Sequence, residues 1–368
     1  MKRITLLVKP TEECNFRCQY CYHADSNYVK GRMSISLFEE IIRKTASCYD
    51  EINLTFHGGE PLLMGYDFYE KAFSVIDKYK SDNVRWKLSI QTNGYLLDET
   101  FCDLFGKYGF SPSISFDGPG ELNCLRAKTE EVTEKIIQLR QRGYKISLLG
   151  VITQKNVRHL GEYYAFAKET GCHCKFNPIF ESGEAKGQNS IMITSQEFVD
   201  ALKGLFPKYI KDENSILVEP FASLLYMSLL NKHAPICEHC GCLYKWLAVD
   251  HDGSIYPCSR SYPKEFYLGN VQMMTDISMA FKHENFRKLI EGSIERRNLC
   301  QQTCEYYTLC QGGCNNDSIL NGELSRPAEF KCRVLKSLIP FIKECMRENK
   351  DSIKNRYVLD ILRRAQNG

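Results

Sequence analysis

The cysteines constrain this chain more than any other feature. Eighteen occur in 368 residues, and they are unevenly placed. Cys14, Cys18 and Cys21 share one short segment, and nine more lie between Cys237 and Cys332. A chain this long falls outside the small secreted scaffolds that use dense cysteines as disulfides. Its start, Met1 to Pro10, has a basic flank, but the apolar run is too short for a secretory segment and no small-residue cleavage site follows. No stretch reaches the roughly 18 apolar residues that a bilayer span requires. The expected location is therefore the cytoplasm, where clustered thiols are metal ligands or redox groups. A hydrophobic share of 43% is enough to build a core and excludes disorder as the main state. Lys and Arg number 48 against 45 Asp and Glu, and a net charge of +3 argues against nucleic acid or a membrane surface as partner.

Between the cysteine groups, β-rich runs alternate with helical patterns. Strands are expected at Ile4–Lys9, Ile52–His57, Trp86–Thr92, Ser111–Phe116, Lys145–Ile152 and Cys174–Ile179. Helices are expected at Ile35–Ser47, with Ser34 as N-cap, and near Asp67–Tyr79, Asp98–Tyr108, Thr129–Arg142 and Val157–Thr170. Such alternation makes an α/β fold with a parallel sheet, closed or partly closed into a barrel. Past Phe180 it stops. Ser182–Asn189 is polar and Gly-rich, Ser195–Lys211 is helical, and Leu247–Pro257 reads as a hairpin turning at Asp252-Gly253. The expected organisation is a barrel over 1–190, a helical bridge over 191–235, a cysteine-rich domain over 236–335 and a helical tail over 336–368.

Cys14, Cys18 and Cys21 have C-x3-C-x2-C spacing just after the first strand. Three thiolates on one tight loop leave a tetrahedral zinc site incomplete. They suit an iron–sulfur cube with one iron left open. The position is the C-terminal mouth of the expected barrel, where active sites of such folds gather. Gly58-Gly59-Glu60-Pro61 follows the second strand, and its two glycines permit close backbone approach.

On these two motifs the chain resembles the radical S-adenosylmethionine (SAM) superfamily, with Tyr20 matching the aromatic before the third cysteine. The resemblance implies a partial (β/α)6 barrel in which a [4Fe–4S] cluster held by Cys14, Cys18 and Cys21 binds SAM at its open iron. One electron then cleaves SAM, and the resulting 5′-deoxyadenosyl radical removes a hydrogen atom from the substrate. It also implies SAM contacts from Tyr20, Gly58, Gly59, Glu60, Ser115, Arg126 and Phe180, with Gln91 and Asn93 lining the cavity. Each has a plainer role in competition: Ser115 as a turn cap, Arg126 as a solvated charge, Phe180 as core.

The later cysteines resemble the SPASM extension of radical SAM peptide-modifying enzymes, a small hairpin and helices around two auxiliary [4Fe–4S] clusters. The resemblance implies Cys237, Cys242, Cys258 and Cys314 for one cluster, and Cys300, Cys304, Cys310 and Cys332 for the other. Three residues separate Cys300 from Cys304 where the family has two, and Cys240 competes for a place in the first set. Four-cysteine zinc is the competing occupant. Cys48, Cys102, Cys124, Cys172, Cys174 and Cys345 are expected to pack as small apolar residues.

The resemblance extends along most of the chain to anaerobic sulfatase-maturating enzymes, which oxidise a Cys or Ser of a sulfatase to formylglycine. Those enzymes place a proton-accepting aspartate directly after Pro-Cys; here Ser259 and Arg260 follow Pro257-Cys258. A neutral hydroxyl is a poor general base. The expectation from this departure is a maturase of ribosomally made peptides that installs a thioether or carbon–carbon crosslink, with sulfatase maturation as the alternative. An iron–sulfur electron carrier or sensor is the alternative of another class, although a carrier needs no SAM pocket. Ser259, Arg260 and His57 are catalytic candidates against packing or surface roles. Expected partners are a peptide or protein substrate and a one-electron reductant such as flavodoxin or ferredoxin. With Cys14 so early, leader recognition is expected to use a separate leader-peptide-binding protein, the barrel mouth or the tail.

Overall fold

A computed structural model describes residues 2–23, 30–81, 83–213, 215–234, 236–239, 241–260 and 266–366. Its first half is a run of β/α units: β1 (Arg3–Val8), α1 (Ile35–Ala46), β2 (Glu51–Phe56), α2 (Tyr66–Lys78), β3 (Arg85–Thr92), α3 (Glu99–Lys107), β4 (Ser113–Ser115), α4 (Thr129–Gln141), β5 (Ser147–Ile152), α5 (Leu160–Glu169) and β6 (His173–Pro178). These are the six strands and five helices expected from the sequence, shifted only at their ends. The local chemistry is plain. The Ser34 hydroxyl accepts from the Leu37 amide at 3.1 Å and starts α1, and Asp98 accepts from Phe101 at 2.9 Å and starts α3.

The second half adds α6 (Ser195–Lys211), β7 (Val218–Glu219), α7 (Phe221–Leu230), β8 (Trp246–Val249), β9 (Ile255–Tyr256), α8 (Glu284–Thr303), α9 (Tyr307–Cys310), α10 (Asn315–Leu320), α11 (Glu329–Glu348) and α12 (Arg356–Gln366). One nine-stranded sheet runs β7-β6-β5-β4-β3-β2-β1-β8-β9. Every neighbouring pair is parallel except β8 with β9. The order is linear, so the barrel is partial.

Two of these pairings have no signal in the sequence. β7 extends one edge through Val218 and Glu219, and β8 lies against β1 with Leu6 opposite Leu247. The cysteine-rich half is thus built onto the barrel sheet. Buried charges reinforce the seam. Lys9 at the end of β1 sits 3.1 Å from Asp250 at the end of β8, and Lys44 of α1 donates to the Val271 carbonyl at 2.8 Å.

The core between sheet and helices is strongly aromatic. On β2, Ile52, Leu54 and Phe56 are buried while the alternate residues turn to the barrel interior, where Thr55 meets Ser89 at 2.7 Å. Phe73 of α2 lies with its ring centroid 6.1 Å from Phe56, 6.3 Å from Phe105 and 4.4 Å from Tyr108. Removing such a ring forfeits its burial and leaves a cavity. Phe73→Ala is expected to cost about 3–5 kcal/mol, read as an earlier urea midpoint of the helical circular dichroism; a cost under about 1 kcal/mol would contradict this packing.

Candidate active site and thiol clusters

The loop carrying Cys14, Cys18 and Cys21 is held edge to edge against the Gly58–Glu60 segment. Gly59 N donates to Thr11 O at 3.1 Å, and Glu60 N donates to Glu13 O at 2.8 Å. A Cβ on Gly59 would stand 2.3 Å from the Glu13 oxygen and 2.7 Å from that of Glu12, and one on Gly58 would stand 2.3 Å from that of Thr11. Gly58 also has φ +116°, a conformation side chains avoid. The glycines are therefore needed for contact with the cysteine loop itself, a reason that the motif alone did not reveal.

Beside this contact lies a cavity of about 290 Å³ at the C-terminal ends of the strands. Cys14, Cys18 and Cys21 line it, as do Tyr20, Gly58, Gly59, Gln91, Asn93, Ser115, Arg126 and Phe180 among the expected SAM contacts. His57, Ser259 and Arg260 line it too. Glu60 does not. Its fully buried carboxyl accepts from Leu62 N at 2.9 Å, Thr92 Oγ1 at 2.8 Å and Asn93 N at 2.6 Å. Burial raises it to about 7 against those hydrogen bonds. Glu60 stands behind the cavity wall and fixes the end of β3.

The other groups are equally constrained. The Gln91 amide donates to the Ser115 hydroxyl at 2.7 Å, and Asn93 donates to Asn15 in the cysteine loop at 2.7 Å. The Arg126 guanidinium donates to the Tyr20 hydroxyl at 2.8 Å, and that hydroxyl donates to Asp117. Asp117 in turn accepts from Val151 N at 2.8 Å. A buried three-residue network thus pins Tyr20, the residue directly before Cys21. Burial raises Cys18, and the Arg126 charge opposes that rise. Asp117 follows two residues after Ser115, and nothing in the sequence marks it as an anchor for Tyr20.

Beneath the loop, Lys9 Nζ lies 3.4 Å from Glu12, whose other oxygen lies 3.2 Å from His23 Nδ1. Burial alone would raise Glu12, but the His23 hydrogen bond and the Lys9 charge bring it down to about 2. Nothing in the sequence marked these residues. His57 accepts at Nδ1 from Gly58 N at 2.8 Å, and burial lowers it to about 3, so it faces the cavity as a neutral ring. Arg260 lies 4.6 Å over the Phe180 ring and is ion-paired with Asp317.

The later thiols fall into two neighbourhoods. Cys300, Cys304, Cys310, Cys314 and Cys332 all line a cavity of about 100 Å³. Burial raises Cys332 to about 11, and Cys310, Cys300 and Cys304 add to the rise. Cys258 acts on both Cys237 and Cys314, whose thiols burial raises to about 11 and about 12. Cys242 lies between Cys237 and β8, its carbonyl accepting from Lys245 N at 3.0 Å. Cys240 is outside the described residues. Arg296, wholly buried on α8, donates to Gly312 O at 2.8 Å, to Leu324 O and to Asn315, and so shapes the turn from Cys310 to Cys314. Its importance was invisible in the sequence. Cys102, Cys172, Cys174 and Cys345 are buried, and Cys48 and Cys124 are half-buried.

These surroundings fit iron–sulfur ligation. Burial raises Cys14, Cys237, Cys314 and Cys332, each with a neighbouring cysteine adding to the rise, and iron would displace those protons and relieve that cost. Among the described residues, no three or more His, Cys, Asp or Glu side chains converge on a single-ion position.

With this geometry in view, the chain matches the Radical SAM superfamily over residues 8–167 and the SPASM iron–sulfur cluster-binding domain over 234–315. It is a radical SAM enzyme with a SPASM domain. It is 29% identical over 338 residues to a cysteine-type anaerobic sulfatase-maturating enzyme of Clostridium perfringens, covering 85% of this chain and 89% of that one. It is 25% identical over 354 residues to a serine-type enzyme of Bacteroides thetaiotaomicron, covering 85% and 83%. The solved structure of native anSMEcpe with bound AdoMet superposes with a TM-score of 0.83 at 26% identity, covering 95% of this chain and 100% of that one; the same protein with bound AdoMet and Cp18Cys peptide gives 0.82. No helix among the described residues is long and apolar enough to cross a membrane.

Gly59→Ala drives a methyl group into two carbonyl oxygens of the cysteine loop. Iron is expected to fall by about four atoms per chain, the content of one cube, while Gly161→Ala, which meets nothing within 4 Å, leaves it unchanged. Equal iron in both variants would contradict the role assigned to the Gly59 contact.

Proposed function

We propose that this protein is a peptide maturase of the sulfatase-maturating kind, oxidising a cysteine of its substrate to formylglycine. The observation that carries the reading is the near full-length likeness to such enzymes, 85% of this chain against 89% of the Clostridium perfringens relative. The crosslinking reaction expected from Ser259 rests on one position, whereas the likeness spans both halves of the molecule. Sulfatase maturation therefore replaces crosslinking as the favoured reading, and a separate leader-binding protein is no longer needed. A flavodoxin or ferredoxin remains the expected class of reductant.

Cys14, Cys18 and Cys21 would hold the cluster that binds SAM, with the two later thiol sets holding auxiliary clusters. When bound, the reduced cluster and SAM supply one-electron cleavage and hydrogen-atom abstraction. The chain's own residues do the rest. Tyr20, tied to Arg126 and Asp117, keeps the cysteine loop in place. Gln91 and Ser115 present polar groups to the cavity, and Tyr22 and Phe180, their rings 6.2 Å apart, exclude water from one wall. Oxidation of the cysteine to the thioaldehyde removes one hydrogen atom from Cβ, the thiol proton and one further electron, which an auxiliary cluster held by the later thiols would accept. Water then replaces sulfur, which leaves as hydrogen sulfide.

Ser259 bears on the target residue. It lines the cavity, 9% exposed, at the position where the family resemblance implies a carboxylate. A thiol with an ordinary pKa of about 8.5 loses its proton without a dedicated carboxylate far more readily than an alcohol does. This favours cysteine over serine as target. Mass spectrometry of a sulfatase-derived cysteine peptide after anaerobic turnover is expected to show formylglycine, with the serine peptide at least tenfold slower. Ser259→Ala is expected to retain the cysteine rate within about threefold, and Ser259→Asp to narrow the gap. A thioether or carbon–carbon crosslink in place of formylglycine would overturn the reading.

A further inference from the structure

A second cavity, of about 220 Å³, opens from the first and shares Asn177, Ile179, Phe180 and Arg260 with it. It lies between the end of β6, the approach to α6, α10 and the start of α11. Met192, Ile193, Leu320 and Phe330 give it an apolar part, and Glu181, Asn321 and Lys331 line it as well. At its inner end stands Asp317, whose side chain is only 10% exposed. One Asp317 oxygen accepts from Arg260. The other, Oδ2, is buried and accepts no hydrogen bond from the described residues.

A buried carboxylate oxygen without a donor costs free energy until one arrives. The donor's character follows from the surrounding charge. Arg260 already balances Asp317, and Lys331, which also borders the slot, is paired with Glu238 at 3.1 Å. A cationic donor would add a charge to a site whose ion pairs are already balanced, whereas a neutral amide N–H would not. Peptide backbone supplies such a donor beside an apolar side chain.

We propose that this slot is a specificity subsite for the substrate peptide. It seats an apolar residue flanking the reacting one, with a peptide N–H donating to Asp317 Oδ2. The inference rests on the peptide-maturase reading and adds to it what the peptide must carry. Phe180, with Arg260 stacked on it, forms the sill between reaction cavity and subsite. The path from one to the other is thus continuous, as a flanking residue requires.

The test uses the iron-loaded full chain and a fluorescein-labelled, sulfatase-derived cysteine peptide. Met192→Trp fills the slot without altering its charges, and matching iron content and circular dichroism establish that the variant is folded. Its peptide dissociation constant, read by fluorescence anisotropy, is expected to rise at least tenfold. Replacing each apolar residue near the target cysteine by Asp is expected to find one position that costs the parent protein at least tenfold. That position should cost Met192→Trp less than twofold, because the subsite is already lost. The peptide-side change cannot harm the protein's fold and so stands as an independent check. Peptide affinity within twofold of the parent in a folded Met192→Trp protein would overturn the subsite and leave the maturase reading standing. Failure of the parent protein to bind the peptide would overturn the sulfatase reading and the subsite with it.

Discussion

The contact between two backbone segments, the loop before Cys14 and the turn after β2, is the constraint on which the rest of the site depends. It closes through the amides of Gly59 and Glu60 and the carbonyls of Thr11 and Glu13, and it leaves no room for a Cβ. Glu60 then reaches the other way. By accepting from Thr92 and Asn93 it joins the turn to the end of β3, and Asn93 returns to the cysteine loop through Asn15. Three consecutive strand ends are thereby tied together, and the thiols are presented at one mouth of the sheet.

Buried ion pairs set the relation of the two halves. Lys9 lies between Glu12 and Asp250, one on each side of the seam. Arg260 pairs with Asp317, and Glu238 lies 2.6 Å from Lys175 and 3.1 Å from Lys331. Such pairs contribute little net stability in general, because desolvation offsets attraction. Their value here is geometric, since each fixes the separation of segments that carry thiols. Arg296 acts likewise through three neutral acceptors, holding the Cys310–Cys314 turn open to both thiol groups.

Much of this was legible in the residue pattern. Alternating β and α runs located the six barrel strands because each carries its own hydrophobic signal. The Ser195–Lys211 helix was legible from its length and matches α6 end for end. Long-range pairings were not legible. β7 has two residues, and β8 reads as half of a hairpin with nothing local to announce β1 as its other neighbour. In the site, motif spacing identified the lining residues, but not which of them face inward. Glu60 belongs to the motif yet turns its carboxyl away from the cavity. Asp117, Arg296 and Lys9 act through partners distant in sequence, which no single stretch displays. Ser259 illustrates the opposite case: one unusual residue pointed to crosslinking, while the likeness along both halves of the chain favours the alternative.

The most direct test of the account is the electron paramagnetic resonance spectrum of the dithionite-reduced protein, with Cys258 and Cys332 replaced by Ala to empty the two later thiol groups. If Cys14, Cys18 and Cys21 hold a cube with one open iron, adding SAM will shift its signal, and the shift will vanish with Cys18→Ala. A signal from the early thiols that SAM leaves unchanged would contradict the central claim.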